Sequence, residues 1–380
     1  MTLTCETRGM ARKCSLRAMP VAGPQDEEDA ITELAGIARS VRLLGAATPN
    51  DGHIEHGRLL SDYAKGRERL PVWSYEPAVE ESERLLRILE GVTTRLRRLG
   101  GTPLGALYGA RADELQLELE AALAVGTPMF AARARARFGA AAERDRANAL
   151  ASAWCAERDV PGESPLLASD DRDPRSLVSR MRAEVARRHL AFAVRTSPSL
   201  AALAAISGDT LWVAEGRKLT ALDVERTVVH EIEAHALPRS RARTLPVPLF
   251  AIGTAGGSDD QEGYALALEE RRGVSGPSRR RELGARHVAV SLMSAGADFV
   301  SVVRSLRAEG VPLETCLRAA QRAFRGSHGK TPGLGRERVY IEAFIRVRAR
   351  LAGAPEDEAV LHAGQVAVSA IDALRPWAHA

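Results

Sequence analysis

The spacing of apolar residues along the chain predicts a protein built mainly from helices. Four segments carry an apolar residue at every third or fourth position, as an amphipathic helix does: residues 28–45, 78–100, 112–126 and 173–190. Between the first two, residues 46–57 contain Pro, Asn, Asp and Gly, which favour a break in the helical pattern. The last hundred residues alternate helical segments with one glycine-rich loop.

The pattern changes between residues 191 and 216, where short apolar runs flank Gly208 and Asp209. Such runs around a Gly-Asp turn predict two or three β-strands with a hairpin. A helical pattern follows, with Thr220 or Asp223 as its N-cap. We therefore predict an α+β fold that is predominantly helical, with a small β-sheet beside this helix.

Composition adds limits on location and partners. Among 380 residues, Lys and Arg number 53 and Asp and Glu 49, without a concentrated basic stripe, so nucleic acid is not a predicted partner. The four cysteines form no C-x-x-C pair, and we find neither a signal peptide nor a membrane-spanning segment. These features predict a cytoplasmic protein that does not bind membranes, and they leave its oligomeric state open.

Three regions are predicted. Residues 1–25 are expected to be disordered, residues 26–70 to form a helical extension and linker, and residues 71–378 to form the catalytic domain.

The most informative stretch is His230-Glu231-x-x-x-His235. In zinc proteases the spacing H-E-x-x-H brings two imidazoles to one ion, because residues four apart lie close together on an α-helix. A spacing of five turns the second histidine about 140° from the first. Two devices would correct this: a π-bulge, or a helix that ends at His235 ahead of Pro238. Alternatively, the motif is a chance match, or Glu231 only pairs with His235 one turn away.

A catalytic zinc site needs a third protein ligand. Glu262, 27 residues after His235, lies where a new helix is predicted to begin, with Ser258, Asp259 and Asp260 as an N-cap cluster. Glu269 and Glu270 follow on a more charged stretch that we expect to be solvated.

With "HEIEAH" followed by "QEGYA", the chain resembles the QEGLA-motif family. Its bacterial members are catalogued as flavohaemoglobin expression-modulating proteins, and its eukaryotic relatives are the microtubule-associated tyrosine carboxypeptidases, which remove the C-terminal tyrosine of α-tubulin. The resemblance extends over roughly Pro71 to Trp377. Two departures are visible: the Leu of QEGLA is Tyr264 here, and the segment after His235 lacks an expected Asn-Gly.

The resemblance implies a zincin-like metallopeptidase domain in which His230, His235 and Glu262 hold one Zn²⁺ per chain. Glu231 would then be the general base and acid for hydrolysis of a peptide bond near a C-terminus. For the oxyanion, Tyr340 is the first choice of donor, with His328 and Arg325 as alternatives.

A carboxypeptidase also needs a cation for the free carboxylate of its peptide or protein substrate, and Arg325 and Arg336, which flank the glycine-rich loop, are candidates. Glu233 and Asp223 are candidates to orient the ligating histidines.

Two other functions remain open. The site could belong to a maturation protease that trims a dedicated precursor peptide. The chain could instead be a helical regulatory or binding protein without catalysis. No fourth His or Cys lies at useful spacing, which favours an open, catalytic site over a closed, structural one.

Overall fold

The computed structural model describes residues 24–76, 79–99, 101–139, 143–158, 167–198, 200 and 202–378. Its α-helices are α1 (Pro24–Ser40), α2 (Leu43–Ala46), α3 (Gly52–Ala64), α4 (Val79–Leu96), α5 (Pro103–Leu123), α6 (Phe130–Phe138), α7 (Arg144–Cys155), α8 (Leu177–Arg187), α9 (Ala221–Val228), α10 (Leu237–Ala242), α11 (Leu249–Ile252), α12 (Gly257–Arg271), α13 (Pro277–Ser294), α14 (Phe299–Ala308), α15 (Leu313–Ala323), α16 (Val339–Gly353), α17 (Glu358–Leu361) and α18 (Ile371–Leu374). A π-helix (Val229–Ala236) joins α9 to α10, and the 3₁₀ segments are Arg97–Leu99, Arg336–Arg338, Pro355–Asp357, Val368–Ala370 and Arg375–Trp377.

The five strands are short: β1 (Leu167–Ala168), β2 (Ala193–Ser197), β3 (Ala204–Ser207), β4 (Thr210–Ala214) and β5 (Lys218–Leu219). In the larger sheet β4 is central, parallel to β2 and antiparallel to β3, while β1 and β5 form a separate antiparallel pair. The turn between β3 and β4 is Gly208-Asp209, with Gly208 at φ +56°. The predicted helical fold with a small sheet and this hairpin is confirmed.

Apolar side chains form three clusters. The largest lies among α1, α4–α7, α11–α13 and α16–α18, and the second among α3 and α13–α15. The third joins α8 and the larger sheet to the inner face of α9 and the π-helix, where Val228 and Ile232 are buried. The small sheet therefore supports the histidine-bearing helix from one side.

That helix begins with a capping box, in which the Thr220 hydroxyl accepts a bond from the Asp223 N–H and the Asp223 carboxylate accepts one from the Thr220 N–H. The predicted start at Thr220 is confirmed.

Helix α12 crosses the π-helix and packs along α16. Its backbone approaches α16 so closely that a Cβ atom on Gly263 would lie 2.3 Å from the carbonyl carbon of Ala343. The helix begins earlier than predicted, because Gly256 turns the chain at φ +73° and acts as its N-cap. Asp259 and Asp260 therefore lie within its first turn rather than forming a cap.

The predicted disordered segment lies outside the described residues, apart from its last two residues, which begin α1. The predicted extension, residues 26–70, contains α1–α3, and α1 packs on α4, α5 and α11. The boundary between extension and catalytic domain stays a prediction. Across the described ranges, no helix combines the length and the apolar character needed to cross a membrane.

Candidate metal centre

The π-helix places the two motif histidines on one face. Wider i→i+5 turns bring residues five apart into line, which an α-helix does not do. The ring centroids of His230 and His235 are 4.9 Å apart, with the rings inclined at 73°. Of the two devices predicted to correct the spacing, the π-bulge is confirmed and the helix end at His235 is wrong, because α10 continues through Pro238.

The continuous helix includes Pro238, which has no backbone N–H. In the i→i+5 pattern that N–H would have bonded the carbonyl of Glu233. The imidazole of His362 lies beside this carbonyl.

Helix α12 brings a carboxylate to the two imidazoles. Glu262 Oε2 lies 3.5 Å from His230 Nε2 and 4.0 Å from His235 Nε2. One ligand atom from each of the three residues lies within 4.8 Å of the others. The three predicted donors are thus brought together from two helices.

Glu269 supports His230 from behind. Its Oε1 lies 2.8 Å from His230 Nδ1, and Arg279 donates to the same carboxylate at 3.3 Å. Glu269 is completely buried, so the expectation that it is solvated is wrong. A signal for it existed in the sequence, since Glu269 follows Glu262 by seven residues, two helical turns, and so shares its helix face.

The other proposed orienting residues have different partners. Asp223 caps α9, and Glu233 pairs with Arg188 at 3.0 Å and Arg272 at 2.8 Å. Beside His235 the structure instead places the side chain of Gln261. The carboxylates of Asp223 and Glu233 are therefore engaged elsewhere and do not orient the ligating histidines.

Burial and charge move the two imidazole pKa values in opposite directions. Burial opposes protonation of His230, but hydrogen bonds to Glu262 and Glu269 raise its pKa to about 10. Burial, together with the neighbouring charge of His230, lowers the pKa of His235 to about 4. The two imidazoles therefore differ in their surroundings, because the carboxylates of Glu262 and Glu269 both bond to His230.

The carboxylates also differ. Although burial opposes ionisation of Glu262, the hydrogen bond from His230 and the charge of Arg336 hold its pKa well below the usual range. Burial raises the pKa of Glu231 to about 7, against the charge of His230. A buried carboxylate with a pKa near neutrality can accept and return a proton at neutral pH.

Glu231 opens into a cleft of about 500 Å³ that also contains Tyr340. We call it the cationic cleft, because seven basic side chains line it against three carboxylates. The basic residues are Arg217, Lys218, Arg226, Arg279, Arg286, Arg318 and Arg322, and the carboxylates are Glu231, Glu269 and Glu282. The arrangement suits an anionic ligand.

Tyr340 is linked to the donor set through Arg336. This arginine donates to Glu262 Oε1 at 3.1 Å and to the Tyr340 hydroxyl at 3.3 Å. Arg336, predicted to bind substrate, is therefore engaged with a candidate metal ligand. Burial, followed by the charge of Glu262, raises the pKa of Tyr340, so its hydroxyl keeps its proton and can donate.

Two further candidates lie off the cleft. Arg325 does not line it and faces the buried carboxylate of Glu337 at 3.5 Å, which Arg286 and Arg322 also approach, at 3.5 and 3.6 Å. His328 is exposed and packs edge-on against Tyr75, with ring centroids 5.6 Å apart. The structure gives neither of these two predicted residues a place beside the three donors.

A sequence model of one protein family, described as microtubule-associated tyrosine carboxypeptidase, matches residues 63–380. The chain belongs to this family. The match includes α12, the π-helix and Tyr340, and it begins after α1. Membership assigns a carboxypeptidase-type hydrolase with a protein or peptide substrate. A comparison with curated protein sequences returned no match.

The departure from the QEGLA motif has a packing explanation. Tyr264 is buried on α12 and its hydroxyl donates to Glu358 at 2.8 Å, with Arg271 bound to the same carboxylate. The tyrosine thus connects α12 to α17, and it does not line the cationic cleft, where Glu231 lies. Family membership and the substitution are therefore compatible.

Proposed function

We propose that this chain is a zinc-dependent carboxypeptidase that hydrolyses the last peptide bond of a protein or peptide with an acidic C-terminal segment. The main support is that His230, His235 and Glu262 lie close together, next to Glu231. In addition, Glu269 bonds to Nδ1 of His230. A ligating histidine that donates its second N–H to a carboxylate is typical of zinc sites.

The donor set fits zinc. Two imidazole nitrogens and one carboxylate match the protein ligands of known catalytic zinc sites, which leave a fourth position open. Ligands about 2.1 Å from a tetrahedral ion lie about 3.4 Å from one another, close to the separations of 3.5 and 4.0 Å between the Glu262 oxygen and the two histidine nitrogens. Small side-chain movements would therefore complete the site.

Bound zinc would supply Lewis acidity for water attack on the scissile carbonyl. The carboxylate of Glu231, which lines the cationic cleft next to His230, would take the proton of the attacking water and deliver it to the leaving amine. The Tyr340 hydroxyl, held by Arg336, would donate a hydrogen bond to the developing oxyanion.

The surplus of basic side chains in the cationic cleft supports an acidic substrate segment upstream of the cleaved bond. The family description names tyrosine as the released residue, and we extend this to the chain as part of the proposal. A dedicated precursor peptide with an acidic C-terminus would satisfy the same cleft.

Elemental analysis of the purified protein tests the metal. We expect about one zinc per chain in wild type and in Glu231→Gln, and loss of zinc in Glu262→Ala, since only the last removes a ligand. If wild type contains no zinc and takes up none at micromolar concentration, the metallopeptidase hypothesis is wrong.

Activity is tested on a library of peptides with acidic C-terminal segments that differ in their last residue. We expect wild type to release single C-terminal residues and Glu231→Gln to be inactive while retaining zinc. A zinc-loaded wild type that cleaves none of the peptides would favour the non-catalytic binding protein.

A further inference from the structure

A second cavity of about 700 Å³, here called the Arg239 pocket, is lined by Arg239, which lies one helical turn beyond His235. Its walls come from α1, α5, the β3–β4 hairpin, α10 and α11. Gln365 on its wall donates to Gln261, the residue beside His235, at 3.3 Å. The Arg239 pocket is thus linked to the donor set through the pair Gln365 and Gln261, and its described lining shares no residue with that of the cationic cleft.

Arg239 follows His235 by four residues, one turn along the same helix. The residue is half-buried, and its side chain makes neither a hydrogen bond nor an ion pair with any residue in the described part of the chain. Burial lowers its pKa, and among charged neighbours Glu231 acts on it most strongly. The guanidinium is thus close enough to the proposed base to feel its charge, yet has no anion of its own.

The arginines deep in the cationic cleft differ in this respect. Arg226 is paired with Asp223 at 2.9 Å, and Arg279 with Glu269 at 3.3 Å. A half-buried guanidinium without a partner loses hydration and gains nothing in return. Arg239 is therefore a half-buried cation near Glu231 whose charge a ligand carboxylate would satisfy.

The lining of the pocket fits such a ligand. Five arginines and no carboxylate are among the described residues that line it. Ile206, Phe250 and Ile252 contribute apolar surface, and Arg111 has a buried Nε without a hydrogen-bond partner. A negative group next to an apolar side chain is the chemistry of a C-terminal residue with a free carboxylate.

We propose that the Arg239 pocket binds the last residue of the substrate, with Arg239 forming the ion pair to its terminal carboxylate. The substrate chain then lies in the cationic cleft, with its scissile bond at Glu231, which lines that cleft. This inference rests on the proposed function for the identity of the ligand. It also replaces Arg325 and Arg336, which have acidic partners, as the residues predicted to bind the carboxylate.

Helix α1 gives the pocket a wall outside the matched family region, since the match begins at residue 63. Ala35 and Ala38 line the cavity, and a large side chain at either position would shorten it. The size of the residue that this chain releases is therefore set in part by α1.

Binding measured without hydrolysis tests the inference. Fluorescein-labelled peptides with an acidic segment and a final tyrosine, as free acid and as C-terminal amide, are titrated with full-length Glu231→Gln by fluorescence anisotropy. We expect the free acid to bind about 10- to 100-fold more tightly, the range for a hydrogen-bonded charge pair. Adding Arg239→Gln should reduce this preference to less than about threefold, and Arg239→Lys should restore part of it.

Arg241→Gln is the matched control, because Arg241 lies on the same helix but bonds the carbonyl of Ala378 and lines a different cavity. It removes the same charge and should leave the preference unchanged. Thermal melting checks that each variant is folded, which we expect for Arg239→Gln since no partner is lost. Ala38→Phe should weaken binding of the peptide that ends in tyrosine more than that of one ending in glycine.

Equal binding of acid and amide, binding of neither, or a preference that survives Arg239→Gln would overturn the inference. The proposed function has a separate outcome. If wild type hydrolyses no peptide while the Arg239-dependent preference is present, the proposed peptidase function is wrong and the proposed binding of the carboxylate by the Arg239 pocket is supported. If wild type cleaves the free-acid and amide peptides equally well, the proposed peptidase function is supported and the proposed role of the Arg239 pocket is wrong.

Discussion

The contact between Glu269 and His230 allows a quantitative test of the metal centre. Replacing Glu269 by Gln preserves the size of the side chain and an oxygen that can accept from His230 Nδ1, but removes the negative charge 2.8 Å from the imidazole. Replacing it by Ala removes the acceptor as well. The two substitutions therefore separate the effect of charge from the effect of orientation.

The magnitude follows from comparable sites. Loss of a partner behind a ligating histidine weakens metal binding about 10- to 100-fold, or about 1.4 to 2.7 kcal/mol. Since Gln keeps the hydrogen bond, we expect Glu269→Gln near the lower end and Glu269→Ala near the upper end. Arg279 keeps Glu282, at 3.6 Å, as a second partner in both variants, so the fold should survive.

Zinc affinity is measured by competition with a chromophoric chelator at neutral pH. The control is Glu270→Gln on the next residue, whose side chain is 48% exposed and pairs with Arg348 at 3.3 Å. This surface pair contributes at most about 1 kcal/mol to stability and lies off the metal site, so zinc affinity should not change. If Glu269→Ala binds zinc within threefold of wild type, the orienting role assigned to Glu269 is refuted.

Three further predictions follow from buried positions. Gly263→Ala should destabilise the fold by at least about 2 kcal/mol in thermal melts, because its Cβ would meet the α16 backbone at 2.3 Å. The control is Gly91→Ala, which has open space around its Cβ and should stabilise the fold by about 0.5–1 kcal/mol. Glu337→Gln should cost about 3 kcal/mol in chemical denaturation, since it leaves three arginines without their buried carboxylate. Although burial opposes ionisation, those arginines hold the pKa of Glu337 below its ordinary 4.5. The contribution of Glu337 to the free energy of unfolding is therefore complete above about pH 4.5 and is lost as the pH falls below this value. If the difference in unfolding free energy between wild type and Glu337→Gln stays the same in acid, this account is wrong. Tyr340→Phe should lower kcat about 10²- to 10³-fold with little change in KM or zinc content, and an unchanged kcat would remove Tyr340 from the oxyanion site.

The local pattern was sufficient for the elements that carry the site. The hairpin at Gly208, the cap at Thr220 and the extra residue between His230 and His235 depend on neighbours in sequence, so spacing and turn chemistry predicted them. The start of α12 was misplaced, because the sharp turn at Gly256 depends on a backbone conformation that residue type alone does not specify.

Contacts between distant segments were not predictable in the same way. The position of Arg325 and Arg336 beside a loop predicts that they bind the substrate carboxylate, but acidic side chains from other elements engage both. The many arginines of the chain look alike in sequence, and only tertiary packing shows which of them are paired and which, like Arg239, are half-buried without an acidic partner among the described residues.

The sequence by itself determined the donor types, their order along the chain and, through the spacing of five, the need for a helix that departs from α geometry. The tertiary structure decided that Glu269 lies behind His230 and that the half-buried side chain of Arg239 has no acidic partner among the described residues. It also decided that α1 forms a wall of the Arg239 pocket. The physical reason is range: helical periodicity and capping act within a few residues, whereas burial and ion pairing depend on groups that only the packed fold brings together.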